Sequence, residues 1–144
     1  MGISEEKTAL RTRYRRERNA RYIEHSFEFL ATIKELESAS VIASYRSYGV
    51  EPDTQALNRK LILDGKTLLL PRMSGDSIEW VQWNGDESAF SRNNGGYYDR
   101  ALAKTSAFTI GLIHPDEISS EDLPREPWDI PLRAAATPDL VTRF

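Results

Sequence analysis

The stretch SVIASYRSYGVEPDTQALNRKLILDGKTLLL, residues 40–70, is where the chain declares its fold class. Ser40 to Tyr45 is a short apolar run with β-branched residues, which predicts a buried strand. Arg46 to Thr54 is a polar loop, and Pro52 suits a first helical position. From there to Asp64 the spacing of Leu57 and Leu61 predicts a helix with both leucines inward, and Gly65 stops it. Thr67 to Leu70 is the next strand, closed by Pro71. Strand, helix and strand in this order make a βαβ unit, with parallel strands and a right-handed crossover. Ligands of such sheets bind beyond the carboxyl ends of the strands. The loop Arg46–Glu51 and the pair Pro71-Arg72 therefore fall on the candidate functional edge. The expectation is an α/β protein: one domain over residues 1–144, three layers, with a mostly parallel central sheet flanked by helices.

Upstream, Ser4 to about Arg18 predicts a helix, with Ser4 as its cap and Glu5 and Glu6 in the first turn, where acids suit the dipole. It carries Lys7, Arg11, Arg13, Arg15, Arg16 and Arg18, and Arg21 follows. Such a run is either a solvated face or a grip on a polyanion, since Lys7 and Arg11 share one face at a spacing of four. Spacing does not choose between them. A second helix is expected from Ala20 to Leu36, with Ile23, Phe27 and Leu30 on a stripe widened by Phe29 and Ile33. His25 lies beside that stripe as a surface or capping residue.

Downstream, Ser77 to Trp83 alternates and predicts a strand, antiparallel or at an edge. A polar loop leads to Asn94-Gly95-Gly96-Tyr97-Tyr98-Asp99-Arg100. Two glycines let backbone N–H groups approach a ligand closely. The helix expected from Tyr97 to Lys104 would add its positive dipole end, a site suited to an anion. Asp99, in the first turn, could hold a divalent cation against a phosphate, and Arg100 could grip an oxygen. The bland alternative for Gly95-Gly96 is a tight loop. Ala107 to Ile113 predicts another strand, Pro115 to Pro131 a long proline-rich acidic loop, and Arg133 to Thr137 a small final strand before a tail, Pro138 to Phe144.

Composition narrows the classes. With 144 residues, 40% hydrophobic and 28% charged, the chain is ordinary for one globular domain. A net charge of −3 argues against a surface built for nucleic acid. The absence of cysteine excludes disulfides and thiolate chemistry. His25 and His114 are too far apart to read as a metal pair. No apolar run approaches the ~20 residues of a membrane span, and the charged N-terminus is unlike a secretory signal. A cytoplasmic protein acting on small molecules is expected.

Five pieces occur in a telling order. They are Lys7-Thr8-Ala9-Leu10-Arg11; Tyr45 through Glu51-Pro52-Asp53-Thr54; Gly65-Lys66 with Leu70-Pro71-Arg72; Gly95-Gly96-Tyr97-Tyr98-Asp99-Arg100; and Leu123-Pro124 with Trp128-Asp129 and Thr137. Over nearly the whole chain these resemble the 5-formyltetrahydrofolate cyclo-ligase family, also called 5,10-methenyltetrahydrofolate synthetase. The glycine-tyrosine piece is the most specific. The resemblance implies an enzyme that uses ATP as co-substrate and Mg2+ as cofactor to cyclise a reduced folate. It implies that Lys7 and Arg11 bind ATP phosphates. Asn94, Gly95, Gly96, Tyr97 and Tyr98 would form the nucleotide loop, with Tyr97 and Tyr98 shared with the folate. Arg46 and Glu51 would line the folate site, Asp99 and Asp129 would face the metal, and Tyr98 and Arg100 are the catalytic candidates. A monomer is expected, with a dimer as the alternative, and neither nucleic acid nor membrane as partner.

The chain departs from the family between the Trp83 strand and the glycine turn. The family has a further segment there, including a long central apolar strand ending in Pro-Gly. Here Phe90-Ser91-Arg92-Asn93 runs straight into Asn94, which stands where the family usually has a glycine. Loss of a central strand would strip its neighbours of backbone partners.

Overall fold

Nineteen residues, Ile3–Arg21, form helix α1, three residues longer at its C-terminus than the basic run predicts. The Glu5 carboxylate accepts the Gly2 N–H at 2.9 Å and covers one orphan donor at the start. The computed structural model describes residues 2–22, 25–75, 77–84, 107–115, 117, 123–124, 126–127 and 129–144. Its further elements are a 3-10 turn Glu28–Thr32, α2 Lys34–Ser38, β1 Val41–Ala43, α3 Gln55–Leu63, β2 Thr67–Ser74, β3 Ser77–Gln82, β4 Ile110–Leu112, β5 Ala134–Ala136 and β6 Val141–Arg143.

The βαβ unit forms as expected. β1 pairs parallel with β2 from Val41 opposite Thr67 to Ala43 opposite Leu69, with α3 as the crossover. Leu57 and Leu61 point inward, and Gly65 takes φ 81° just past the helix, the left-handed conformation that glycine adopts without a Cβ clash. Burying a leucine such as Leu61, fully inaccessible here, is worth about 1.5–3 kcal/mol. β2 does not stop at Pro71. It continues to Ser74 and pairs antiparallel with β3, Pro71 standing opposite Trp80. The Trp83 N–H donates to Leu68 O, so in this register the nitrogen of Pro71 faces away from β3, beyond the last β1 pair. The proline therefore breaks no ladder bond of the described strands.

The mostly parallel central sheet is not what the described residues form. They build two mixed three-stranded sheets, in the orders β1-β2-β3 and β4-β5-β6. In each, the first pair is parallel and the second antiparallel. The cause is connection length. Gly75, at φ 59°, turns β2 straight back into β3, and Thr137–Leu140 turns β5 back into β6 with Thr137 N–H on Leu140 O at 3.0 Å. Turns this short permit only an antiparallel return. The tail expected after Pro138 is thus strand β6.

Both sheets feed one core. Phe27, Leu30, Leu57, Leu61, Leu68, Leu70 and Trp83 cluster with Ala136, and Ile42, Ile110, Leu112 and Val141 pack against them. The expected helix Ala20–Leu36 is instead broken. Tyr22 already has an extended backbone, Ser26 makes a bridge to Asp53, and its hydroxyl accepts the Glu28 N–H at 3.1 Å. That serine cap competes with helix continuation, and the apolar stripe is delivered by the 3-10 turn. The run Ser40–Tyr45 predicts a buried strand. In β1, Val41 is 57% exposed, and only Ile42, at the alternate position, turns to the core.

Candidate functional site

The site starts from the loop that leaves the carboxyl end of β1. Residues 44–54 cross from strand to helix without regular structure, so their polar groups need partners. Asn58, buried on α3, provides several: its Oδ1 accepts the Ser44 hydroxyl at 2.6 Å and its Nδ2 donates to Tyr45 O at 2.9 Å. The buried Thr54 hydroxyl donates to the same carbonyl at 2.6 Å. The Tyr45 hydroxyl reaches over to Pro52 O at 2.6 Å. Pro52 therefore braces the loop three residues ahead of α3, not at its first turn. At the tip, Gly49 has φ 61°, and the Glu51 carboxylate accepts the Tyr48 N–H at 3.0 Å. Arg46, from the same loop, lines a cavity of about 240 Å³ with Arg59 of α3 and Trp83. The two expected folate-side residues thus ride on one braced loop.

Along α1, Lys7 and Arg18 lie eleven residues apart, or ~16 Å at 1.5 Å per residue. Lys7 Nζ is 2.5 Å from Asp129 Oδ2 and 3.3 Å from Glu126 Oε1. The two acids belong to one turn, in which Asp129 N–H donates to Glu126 O and Glu126 N–H to Asp129 Oδ2. The Asp129 hydrogen bond raises the Lys7 ammonium above its ordinary pKa, while partial burial opposes it. Arg18 makes a two-pronged pair with Glu117, at 2.9 and 2.7 Å. Burial pushes the Glu117 carboxyl up, but the Arg18 bonds and the His114 N–H outweigh it and leave the acid below its ordinary range. His114, just past β4, lays its Nε2 2.7 Å from Val50 O. Its ring stands edge-on to Tyr22, centroids 5.5 Å apart.

The geometry brings together Lys7 and Asp129; Arg46 and Glu51 share the loop after β1, Arg46 on its cavity and Glu51 turned onto the Tyr48 N–H. Arg11 is exposed, one turn beyond Lys7, and no described residue pairs with it. Asn94, Gly95, Gly96, Tyr97, Tyr98, Asp99 and Arg100 lie outside the described residues. Sequence reasoning missed Glu126, Glu117 and His114. The available signal was an acid three residues ahead of Asp129 within a proline turn. Glu126 and Asp129 offer the hard oxygen donors that magnesium takes. Among the described residues no group of three or more acidic or histidine side chains converges, so phosphate oxygens and water would have to supply further ligands there. No described helix is long and apolar enough to cross a membrane.

No known protein-family pattern matches the chain, and no curated protein matches it either. Solved structures do. The NMR structure of 5,10-methenyltetrahydrofolate synthetase from Aquifex aeolicus superimposes with a TM-score of 0.64 at 22% identity, covering 79% of this chain and 76% of that one. The fold is that of 5,10-methenyltetrahydrofolate synthetase. The synthetase from Mycoplasma pneumoniae gives a TM-score of 0.55 at 17% identity over 75% of this chain and 79% of its own.

Proposed function

We propose that this chain is a cytoplasmic folate cyclo-ligase that converts 5-formyltetrahydrofolate and ATP to 5,10-methenyltetrahydrofolate, ADP and phosphate. The observation that carries this reading is the meeting of Lys7 and Asp129 within a synthetase fold. These two residues, 122 positions apart, are the ones the family resemblance assigns to ATP phosphate and to metal. The fold likeness and the order of the sequence pieces support the same reading independently.

In this reading the protein aligns two reactants and neutralises phosphoryl charge, which is most of what such a transfer requires. Lys7 and Arg11 hold ATP phosphate oxygens. The braced β1 loop presents Glu51 and Arg46 to the folate. The resemblance gives Asn94, Gly95 and Gly96 to the nucleotide, Tyr97 and Tyr98 to nucleotide and folate alike, and Arg100 the gripping of a transferring oxygen. Asp129, with Asp99, would hold Mg2+, which when bound shields charge between phosphates. The γ-phosphoryl group passes to the formyl oxygen, the neighbouring folate nitrogen attacks the activated carbon, and phosphate leaves as the ring closes.

The test is turnover: protein, 5-formyltetrahydrofolate, ATP and magnesium, followed by methenyl absorbance and by ADP release. Growth of both signals at equal rates is expected. Folate binding without either signal would mark a non-catalytic folate- or nucleotide-binding homologue instead.

A further inference from the structure

His114 is buried, 9% exposed, and the cyclisation described above makes no use of it. Its surroundings nevertheless hold it at Nε2, at the ring and at the backbone N–H. Val50 O is a carbonyl and only accepts, so the 2.7 Å contact requires a proton on Nε2. The ring plane is set by Tyr22, just past the end of α1, at an interplanar angle of 85°. The His114 backbone N–H donates to Glu117 Oε1 at 2.7 Å, and Arg18 of α1 grips that same carboxylate from two nitrogens. The helix that carries Lys7 therefore locates His114 twice, through Tyr22 and through Arg18 with Glu117. His114 in turn locates the carbonyl immediately before Glu51.

The Glu51 turn is braced at its base by bonds from Tyr45, Ser47 and Thr54. Those bonds are local. They fix the shape of the loop but not its distance from α1. The His114 bond spans 64 positions and joins the turn to the carboxyl end of a strand of the other sheet. We propose that His114 is a positioning residue for the reduced folate: its Nε2–H anchors Val50 and so sets where Glu51 stands relative to the Lys7 helix. This rests on the cyclo-ligase reading.

The experiment compares His114→Ala with His114→Gln, whose side-chain amide restores a donor of similar reach. In the alanine variant the KM for 5-formyltetrahydrofolate rises roughly tenfold, because small misplacements of a binding group are costly, while the KM for ATP stays within about twofold. Glutamine brings the folate KM back to within about threefold. An unchanged folate KM in the alanine variant, equal rises in both KM values, or a folded glutamine variant no better than alanine would each overturn the proposal. A second readout needs no turnover. Amide exchange over Tyr48–Glu51 in the ligand-free protein quickens by about tenfold in the alanine variant, as expected for a locally opened turn, and not in the glutamine variant. Unaltered exchange removes the tether whatever the kinetics. If the wild type neither turns over nor binds folate, the cyclo-ligase reading falls and the folate role with it, although the exchange result still decides the tether.

Discussion

Lys7 on the first helix and Asp129 just ahead of the second sheet's central strand form a salt bridge of 2.5 Å, with only 17% and 25% of their side-chain surfaces exposed. Glu126 adds a second carboxylate at 3.3 Å, so one ammonium faces two acids. The lysine is held in place, its charge already answered. In the proposed cyclo-ligase reading, a phosphate would draw it away from these acids or share it with them.

Lys7→Ala should therefore weaken ATP much more than folate. A charge-assisted bond to phosphate corresponds to about a ten- to hundredfold change in affinity. The KM for ATP is expected to rise by that order, with the folate KM nearly constant. An ATP KM that does not move would return α1 to a solvated basic face. The raised pKa of Lys7 also has a sign. Stability from the pair is fully present below the ordinary lysine value of 10.5 and is lost as pH rises through the higher folded value. No part of this pair's contribution disappears on the lysine side near neutrality, and thermal melts from pH 7 to 9 should show no loss that Lys7→Ala abolishes.

Asp129→Asn keeps the turn's shape but removes its charge. The amide oxygen can still accept the Glu126 N–H, so folding should be little affected. The magnesium concentration for half-maximal turnover should rise by roughly tenfold or more, since one anionic ligand is gone. Nucleotide binding measured without magnesium should tighten slightly, because Lys7 is released from its main partner. If magnesium dependence is unchanged, Asp129 serves only to hold the lysine.

A different ion pair reports on folding alone. Arg143 of β6 clasps Glu35 of α2 through two bonds of 2.7 and 2.8 Å. The Arg143 hydrogen bonds outweigh the opposing desolvation and hold the Glu35 carboxyl at about 2. Its folded pKa lies below the unfolded one, so the stability it gives is present above about 4.5 and is lost as pH falls toward 2. The wild-type melting temperature should fall over that window more steeply than that of Glu35→Gln, and the two curves should converge near pH 2. Parallel curves would show that the clasp adds nothing.

How far the residues foretold these features depends on the range of the interaction. The βαβ unit was readable because strand, helix and strand each carry their period locally, and Gly65 marks the helix end by itself. The break between Tyr22 and Glu28 was not, because Ile23, Phe27 and Leu30 keep helical spacing while Ser26 finds a partner in Asp53, far along the chain. The antiparallel return of β6 was missed because Val141–Arg143 is too short to display alternation. At the site, Lys7 and Asp129 were each named, yet nothing in their spacing joins them. Glu126, Glu117 and His114 gained meaning only once the loops after β4 were laid against α1.

Asn58 gives the sharpest test of the loop that carries Glu51. It is 3% exposed, an uncommon burial for a primary amide, and both ends of that amide are used. Asn58→Ala removes the acceptor of the Ser44 hydroxyl and one of two side-chain donors to Tyr45 O. Thr54 still serves that carbonyl, so the backbone is not orphaned, but the serine is. Ser44 is only half-buried, so the cost is the net worth of the lost hydrogen bonds, about 0.5–1.5 kcal/mol each. Chemical denaturation should register a loss of that size with an unchanged slope, since the surface exposed on unfolding is the same. The loop is then held at Thr54 and Pro52 but loosened at Ser44, two residues before Arg46, and the folate KM should rise while the ATP KM does not. Leu61→Ala is the control: a cavity in the same helix costs about 2–5 kcal/mol yet leaves both KM values of the folded fraction alone. Should the two variants lose stability and alter KM in the same proportion, Asn58 is core packing and no brace of the site.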